Sequence, residues 1–136
     1  MTKRIWISGL MLAGALALQL GSAAAEQETL QANIVIAERE LRPSELRVQK
    51  GETIAWVSQA EAPSTIVFDS AIARSMVCHS LVNFRMANSE LRSMELKAGD
   101  LASFCELAPG SYSYEVRRQE SPAQGQLEGT IVVEAQ

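Results

Sequence analysis

Two cysteines are the most reactive side chains of this 136-residue chain, and one of them has further soft ligands beside it. Cys78 lies between Met76 and His79, which is the only histidine, and Cys105 follows later. Thiolate and thioether sulfur suit Cu(I), and an imidazole suits copper as well. In an oxidising compartment, two thiols in one small domain usually form a disulfide instead. The sequence therefore predicts a Cys78–Cys105 disulfide and leaves one alternative open, a copper site built from Met76, Cys78, His79 and Cys105.

Four charged residues near the C-terminus form a second candidate site: Glu115, Arg117, Arg118 and Glu120. Loops at the end of a rigid scaffold are frequent recognition sites. Guanidinium groups bind carboxylates through paired hydrogen bonds. These residues therefore predict a surface for an unidentified periplasmic protein or a small ligand. The alternative is a solvated hairpin whose charges pair with one another.

The sequence lacks a recognisable catalytic constellation. Cys78 and His79 are adjacent, and neighbouring residues of an extended strand point to opposite faces, so nucleophile and base would not meet. A disulfide would also consume the thiols. The sequence contains no nucleophile elbow and no evident carboxylate pair. We therefore expect a protein that is not an enzyme.

The first 25 residues have the composition of a signal peptide. Lys3 and Arg4 precede an apolar run that ends in small alanines, as a signal peptidase requires. The apolar run is shorter than the roughly 20 residues that span a bilayer. We therefore predict cleavage before Glu26, which leaves residues 26–136 as one periplasmic or secreted domain without stable membrane insertion.

The charge of the mature domain limits its partners. The whole chain has 12 Lys and Arg against 16 Asp and Glu. The predicted signal peptide contains two basic residues and no acidic ones, which leaves ten basic residues and a net charge of about −6. Such a domain is repelled by phosphate backbones and by anionic lipid, so nucleic acid is not an expected partner. The remaining length suffices for one hydrophobic core, and we expect a monomer.

Alternating apolar and polar residues predict β-strands along most of the mature chain. The segments with this pattern are 34–36, 46–48, 54–56, 65–68, 82–86, 101–107, 112–116 and 130–134. In the sixth segment the pattern places Leu101, Ser103, Cys105 and Leu107 on one face. Residues 71–76 predict a helical turn, and the rest of 69–88 gives no clear pattern. Short strands separated by Pro/Gly turns indicate a single-domain Greek-key sandwich or barrel.

Three motifs resemble those of the cupredoxin family, to which plastocyanin and azurin belong. They are residues 51–56 (Gly-Glu-Thr-Ile-Ala-Trp), 62–68 (Ala-Pro-Ser-Thr-Ile-Val-Phe) and 109–114 (Pro-Gly-Ser-Tyr-Ser-Tyr), in that family's order. The resemblance covers roughly residues 34–133 and implies an all-β, cupredoxin-like Greek-key fold. An immunoglobulin-like sandwich is less consistent with the sequence, because Trp56 precedes both cysteines instead of lying between them.

The same resemblance indicates that the copper ligands are replaced. A type-1 site needs two imidazoles, a thiolate and a weak axial thioether. Ser64 stands where the family has its first His, Glu115 where it has Cys, and Leu127 where it has Met, and no His follows Glu115. The resemblance therefore implies a scaffold without type-1 copper. We expect a binding or accessory module without a cofactor; the alternative is a copper carrier or electron-transfer protein that uses the Cys/His/Met site.

Overall fold

The computed structural model describes residues 33–118 and 126–135. The predicted signal peptide and Glu120 lie outside these residues. In this part of the chain no helix is long and apolar enough to cross a membrane. The structure has eleven β-strands here: β1 Ile34–Ile36, β2 Leu41–Arg42, β3 Glu45–Gln49, β4 Ile54–Ser58, β5 Ser64–Asp69, β6 Leu81–Val82, β7 Phe84–Ala87, β8 Glu90–Ser93, β9 Leu101–Phe104, β10 Gly110–Arg118 and β11 Leu127–Glu134.

The strands form two sheets, with the order β2-β1-β4-β9-β6 in one and β3-β11-β10-β5-β8-β7 in the other. The pairs β1–β4 and β3–β11 are parallel, and all other pairs are antiparallel. The buried side chains of both sheets belong to one hydrophobic cluster. The prediction of an all-β sandwich is therefore confirmed.

The centre of the core is an aromatic cluster around Trp56, which is fully buried. Its ring centroid lies 5.8 Å from that of Phe68, 5.6 Å from Phe84, 5.3 Å from Phe104 and 5.5 Å from Tyr114. Three of these contacts are edge-to-face and the fourth is tilted, which are geometries that aromatic quadrupoles favour over a face-to-face stack. Because these residues come from both sheets, the cluster joins the two layers.

The strand predicted over residues 101–107 is shorter in the structure, because β9 ends at Phe104. Ala102 and Phe104 are its fully buried residues, Leu101 is half-buried, and beyond the strand Cys105 is half-buried and Leu107 is buried. Ala102 lies directly opposite Trp56 in the pairing of β9 with β4. A small residue is accommodated there because the indole fills the adjacent space.

The predicted strand 82–86 is two strands in different sheets. Val82 ends β6, which pairs with β9, and Phe84 begins β7, which pairs with β8. Asn83 between them has a φ of 58°, a conformation that Asn tolerates better than most residues. Its Nδ2 donates a hydrogen bond of 2.6 Å to the Leu101 carbonyl. This single residue therefore moves the chain from one sheet to the other.

The predicted helical turn is a 3-10 helix, Ser70–Ser75. The Asp69 carboxylate accepts a hydrogen bond of 2.8 Å from the Ala71 N–H, which satisfies one of the free donors at the start of the helix.

Candidate functional site

One end of the sandwich is closed by the Arg118 guanidinium. Arg118 lies opposite Ser64 where β10 pairs with β5, and its Nε donates to Ser64 Oγ at 3.2 Å. Its Nη2 donates to the Ala37 carbonyl at 2.6 Å, and its Nη1 donates to the Glu38 carbonyl. The Ser64 hydroxyl in turn donates to the Ala62 carbonyl at 3.2 Å. The guanidinium thus connects β10, β5 and the turn between β1 and β2.

Strand alternation explains why Arg118 points to this end. Tyr114 and Val116 face the core. Since every second residue of a strand points to the same side, Arg118, two residues after Val116 on β10, points to that side as well. Leu127 lies opposite Val116 and packs against the core. The described residues between the sheets at this end therefore include Ser64, Val116, Leu127 and Arg118. Glu115, which the resemblance placed at the copper-binding Cys, faces outward, and this corrects that equivalence.

The residues at this end do not fit a type-1 copper ion. Val116 and Leu127 have no donor atoms, and a hydroxyl such as that of Ser64 does not replace an imidazole. The Ser64 hydroxyl is also fully buried and already bonded to a guanidinium. Since the guanidinium is permanently charged, it repels a cation at the same position.

Arg117 belongs to a different surface, the outer face of the larger sheet. Its Nε bonds Glu115 Oε2 at 2.9 Å, and its Nη2 bonds Glu90 Oε1 at 3.2 Å. Arg92 Nε lies 3.0 Å from Glu90 Oε2. The bond to Glu115 raises the pKa of Arg117 above its ordinary value, and Glu90 adds to this effect. Arg117 is therefore paired with Glu115 of its own strand and with Glu90 of β8.

The predicted partner surface is consequently divided. Glu115 and Arg117 share the outer face, whereas Arg118 lies at the end of the sandwich and Glu120 lies outside the described residues. An open groove of about 380 Å³ runs beside Glu115 and Arg117 and also includes Asp69 and Glu128 in its lining. The sequence interpretation missed the contribution of Glu90 and Arg92 to this face, because β8 has a single apolar residue in its core-facing pattern and was not predicted.

The predicted disulfide between Cys78 and Cys105 is present, with the two Cα atoms 6.1 Å apart. Hydrogen bonds flank it, from the Val77 N–H to the Glu106 carbonyl at 3.0 Å and from the Ala108 N–H to the Ser75 carbonyl at 2.8 Å.

The oxidised form brings together only part of the proposed Cys/His/Met site. Met76 is half-buried against the core, and His79 is exposed. Bonded sulfurs are not thiolates, so Met76, Cys78, His79 and Cys105 do not form a copper site in this state. Within residues 33–118 and 126–135, no group of three or more His, Cys, Asp or Glu side chains is arranged to hold a metal ion.

Five large apolar side chains are exposed in one stretch of the chain: Val77, Leu81, Val82, Met86 and Met94. We call this group the apolar rim. Met94 is held next to the β6–β7 junction, since its N–H donates to the Asn83 carbonyl at 2.7 Å. It surrounds β6 and β7, the edge strands of the two sheets. The sequence interpretation did not identify this surface, because exposure of an apolar residue depends on which strands lie at the edges.

Comparison with solved structures identifies the fold. An oxidised amicyanin variant superimposes with a TM-score of 0.57 at 22% sequence identity, covering 82% of this chain and 90% of that one. A reduced Cu(I) form of another amicyanin variant gives a TM-score of 0.56 at 21% identity with the same coverage. The chain therefore has the cupredoxin β-sandwich fold. No family model matches the sequence, and no curated protein is significantly similar to it.

Proposed function

We propose that this chain with the cupredoxin fold is an exported, non-catalytic binding or accessory module that does not carry type-1 copper. One observation supports this proposal above all others. The end of the sandwich at Ser64 is filled by a guanidinium that bonds this hydroxyl and two main-chain carbonyls. Electron transfer through a type-1 centre needs a thiolate and imidazoles at one ion, and neither is found among these residues.

The surface of the domain supports a binding role. Exposed apolar residues that occur singly are ordinary, but a contiguous group marks an interaction surface. The apolar rim lies on and beside β6 and β7, which are edge strands of the two sheets, and an edge strand can pair with another chain. The outer face with Glu115 and Arg117 is the second candidate surface, although its charged groups already satisfy one another.

Export is supported by the disulfide, since such bonds persist in oxidising compartments. Residues 1–25, which would direct export, remain a prediction from the sequence.

This proposal can be tested by mass spectrometry and copper titration. The protein is isolated from the periplasm without chelator or reductant. We expect the intact mass of a chain that begins at Glu26. This mass should lie two hydrogens below that of the same chain with both cysteines reduced, with no metal adduct. Addition of Cu(II) should then produce neither a one-to-one adduct nor an intense blue absorption. Amicyanin treated in the same way is the positive control. A stoichiometric blue complex of the oxidised protein would contradict the proposal.

A further inference from the structure

A row of side chains crosses the outer face of the larger sheet from β11 to β7. Its members lie directly opposite one another in four successive strand pairs: Glu128, Glu115, Val67, Arg92 and Arg85. Residues directly opposite each other on neighbouring strands point to the same face. This row, which we call the charged row, therefore has two carboxylates at one end, two guanidinium groups at the other and Val67 at its centre.

The outermost charge at each end of the charged row is not neutralised within the described chain. The inner charges, Glu115 and Arg92, are each bonded to a group of opposite sign. Glu128 and Arg85 are exposed, and neither forms a salt bridge within residues 33–118 and 126–135. Like charges directly opposite each other on neighbouring strands are destabilising. A negative charge brought to Arg85 and a positive charge brought to Glu128 would therefore both be stabilising.

The charged row is complementary to itself. Strands lie about 4.8 Å apart, so the four strand spacings between Glu128 and Arg85 amount to roughly 19 Å. We consider a second copy that packs its outer face against this one, with a two-fold axis between the sheets, parallel to β5 at Val67. Glu128 then faces Arg85 of the second copy, and Glu115 faces Arg92 of the second copy. No charge of the row faces a charge of its own sign.

The groove on this face lies in the acidic half of the charged row. Its lining includes Val67, Glu115 and Glu128 but neither Arg92 nor Arg85. Guanidinium groups bind carboxylates through paired hydrogen bonds. An open groove beside two carboxylates therefore has room for the arginine side chains that a second copy would bring to it.

From this arrangement we infer that the mature chain forms a two-fold dimer through the outer face of its larger sheet. The partner is a second copy, because a surface of a single charge would match one end of the charged row and repel the other. The dimer should be weak. Without the predicted signal peptide each copy has a net charge of about −6, which opposes association at long range. Asp69, at the end of β5, would also face its own copy across the axis. This association goes beyond the proposed function, because it depends neither on export nor on copper.

Sedimentation equilibrium of the mature, oxidised chain at concentrations up to about 1 mM tests the inference. We expect an equilibrium between monomer and dimer. Arg85→Glu and Glu128→Arg should each weaken association about tenfold or more, since each turns the two end contacts of the dimer from attractive to repulsive. Glu128→Arg also lowers the net negative charge, so an association governed by net charge alone would strengthen instead. Arg39→Glu and Glu52→Arg are matched controls, because they make the same charge changes at exposed positions outside the charged row.

A mixture of the two variants gives the most specific result. Each variant repels its own copies, but Arg85→Glu and Glu128→Arg chains are complementary to each other at both ends of the charged row. We therefore expect an equal mixture to form a heterodimer, with near-UV circular dichroism showing that both variants are folded. A chain that stays monomeric up to about 1 mM, the state expected from the sequence, would overturn the inference. So would a dimer that persists in both single variants, or a mixture that does not associate.

Discussion

Replacing Arg118 by alanine removes the group that closes one end of the sandwich. The guanidinium makes three hydrogen bonds, to Ser64 Oγ and to the carbonyls of Ala37 and Glu38. Without it, a fully buried hydroxyl loses a donor and two carbonyls lose their charged partner. We therefore expect a large loss of stability from Arg118→Ala.

The magnitude follows from the hydrogen bonds. Bonds to charged groups contribute roughly 1.5–3 kcal/mol each, and their effects within one network are not additive. Release of the ordered Arg118 side chain returns up to about 2 kcal/mol of conformational entropy. We expect a net loss of about 3 kcal/mol in the free energy of unfolding, or a decrease of roughly 10 to 20 °C in the melting temperature of a domain of this size. Arg118→Lys should lose most of this stability, because an ammonium cannot reproduce the planar fork of donors.

Urea denaturation followed by tryptophan fluorescence measures this loss, and the adjacent residue provides a matched control. Arg117→Ala removes the same side chain from the outer face, where Arg117 is 41% exposed and bonded to Glu115 and Glu90. Exposed ion pairs contribute little, so we expect a cost of about 0.5–1 kcal/mol there. Equal costs for the two substitutions, or a larger cost for Arg117→Ala, would refute the assignment of Arg118 as the residue that holds this end together.

Three further predictions concern the core and the disulfide. Gly129→Ala should destabilise the domain by about 1–3 kcal/mol in urea denaturation, since a Cβ there would overlap with the Tyr114 ring. An unchanged midpoint would contradict the contact. Burial raises the pKa of Tyr114 from 10.0 to about 12, an effect that Trp56 opposes only in part. Because the unfolded chain then releases this proton first, stability should fall as pH rises from about 10 to 12, and Tyr114→Phe should lack that component. The double substitution Cys78→Ser and Cys105→Ser should cost about 3.5 kcal/mol for a loop with a separation of 27 residues, and an unchanged melting temperature would contradict this.

The fold was predictable from the sequence wherever apolar residues alternate over a whole strand. Tyr112, Tyr114 and Val116 show the pattern clearly, and the structure places them on one strand with the last two buried. β8 was not predictable in this way, since Leu91 is its only large apolar residue. Its pairing with β5 and β7 depends on contacts that are distant in sequence.

The candidate site was only partly predictable for the same reason. The sequence identified Arg117 and Arg118 as one candidate surface. Because β10 extends to Arg118, both arginines lie on the strand, and neighbouring side chains of a strand point to opposite faces. Had the strand ended before Arg117, both arginines could have shared one loop. The pairing of Cys78 with Cys105, in contrast, was predictable because two thiols leave a single intramolecular combination.

The position of Arg118 also explains how this fold can remain closed without a metal at that end. A metal ion whose ligands come from separate segments connects those segments. A guanidinium has five N–H donors in a rigid plane, and Arg118 directs them to three separate parts of the chain. The guanidinium, whose charge would repel a cation there, therefore supplies a connection between these segments like the one that a bound cation gives. Ser64 accepts and Arg118 donates at the end of the sandwich where the sequence resemblance places a metal ligand, so this pair of residues both lacks copper donors and connects two strands.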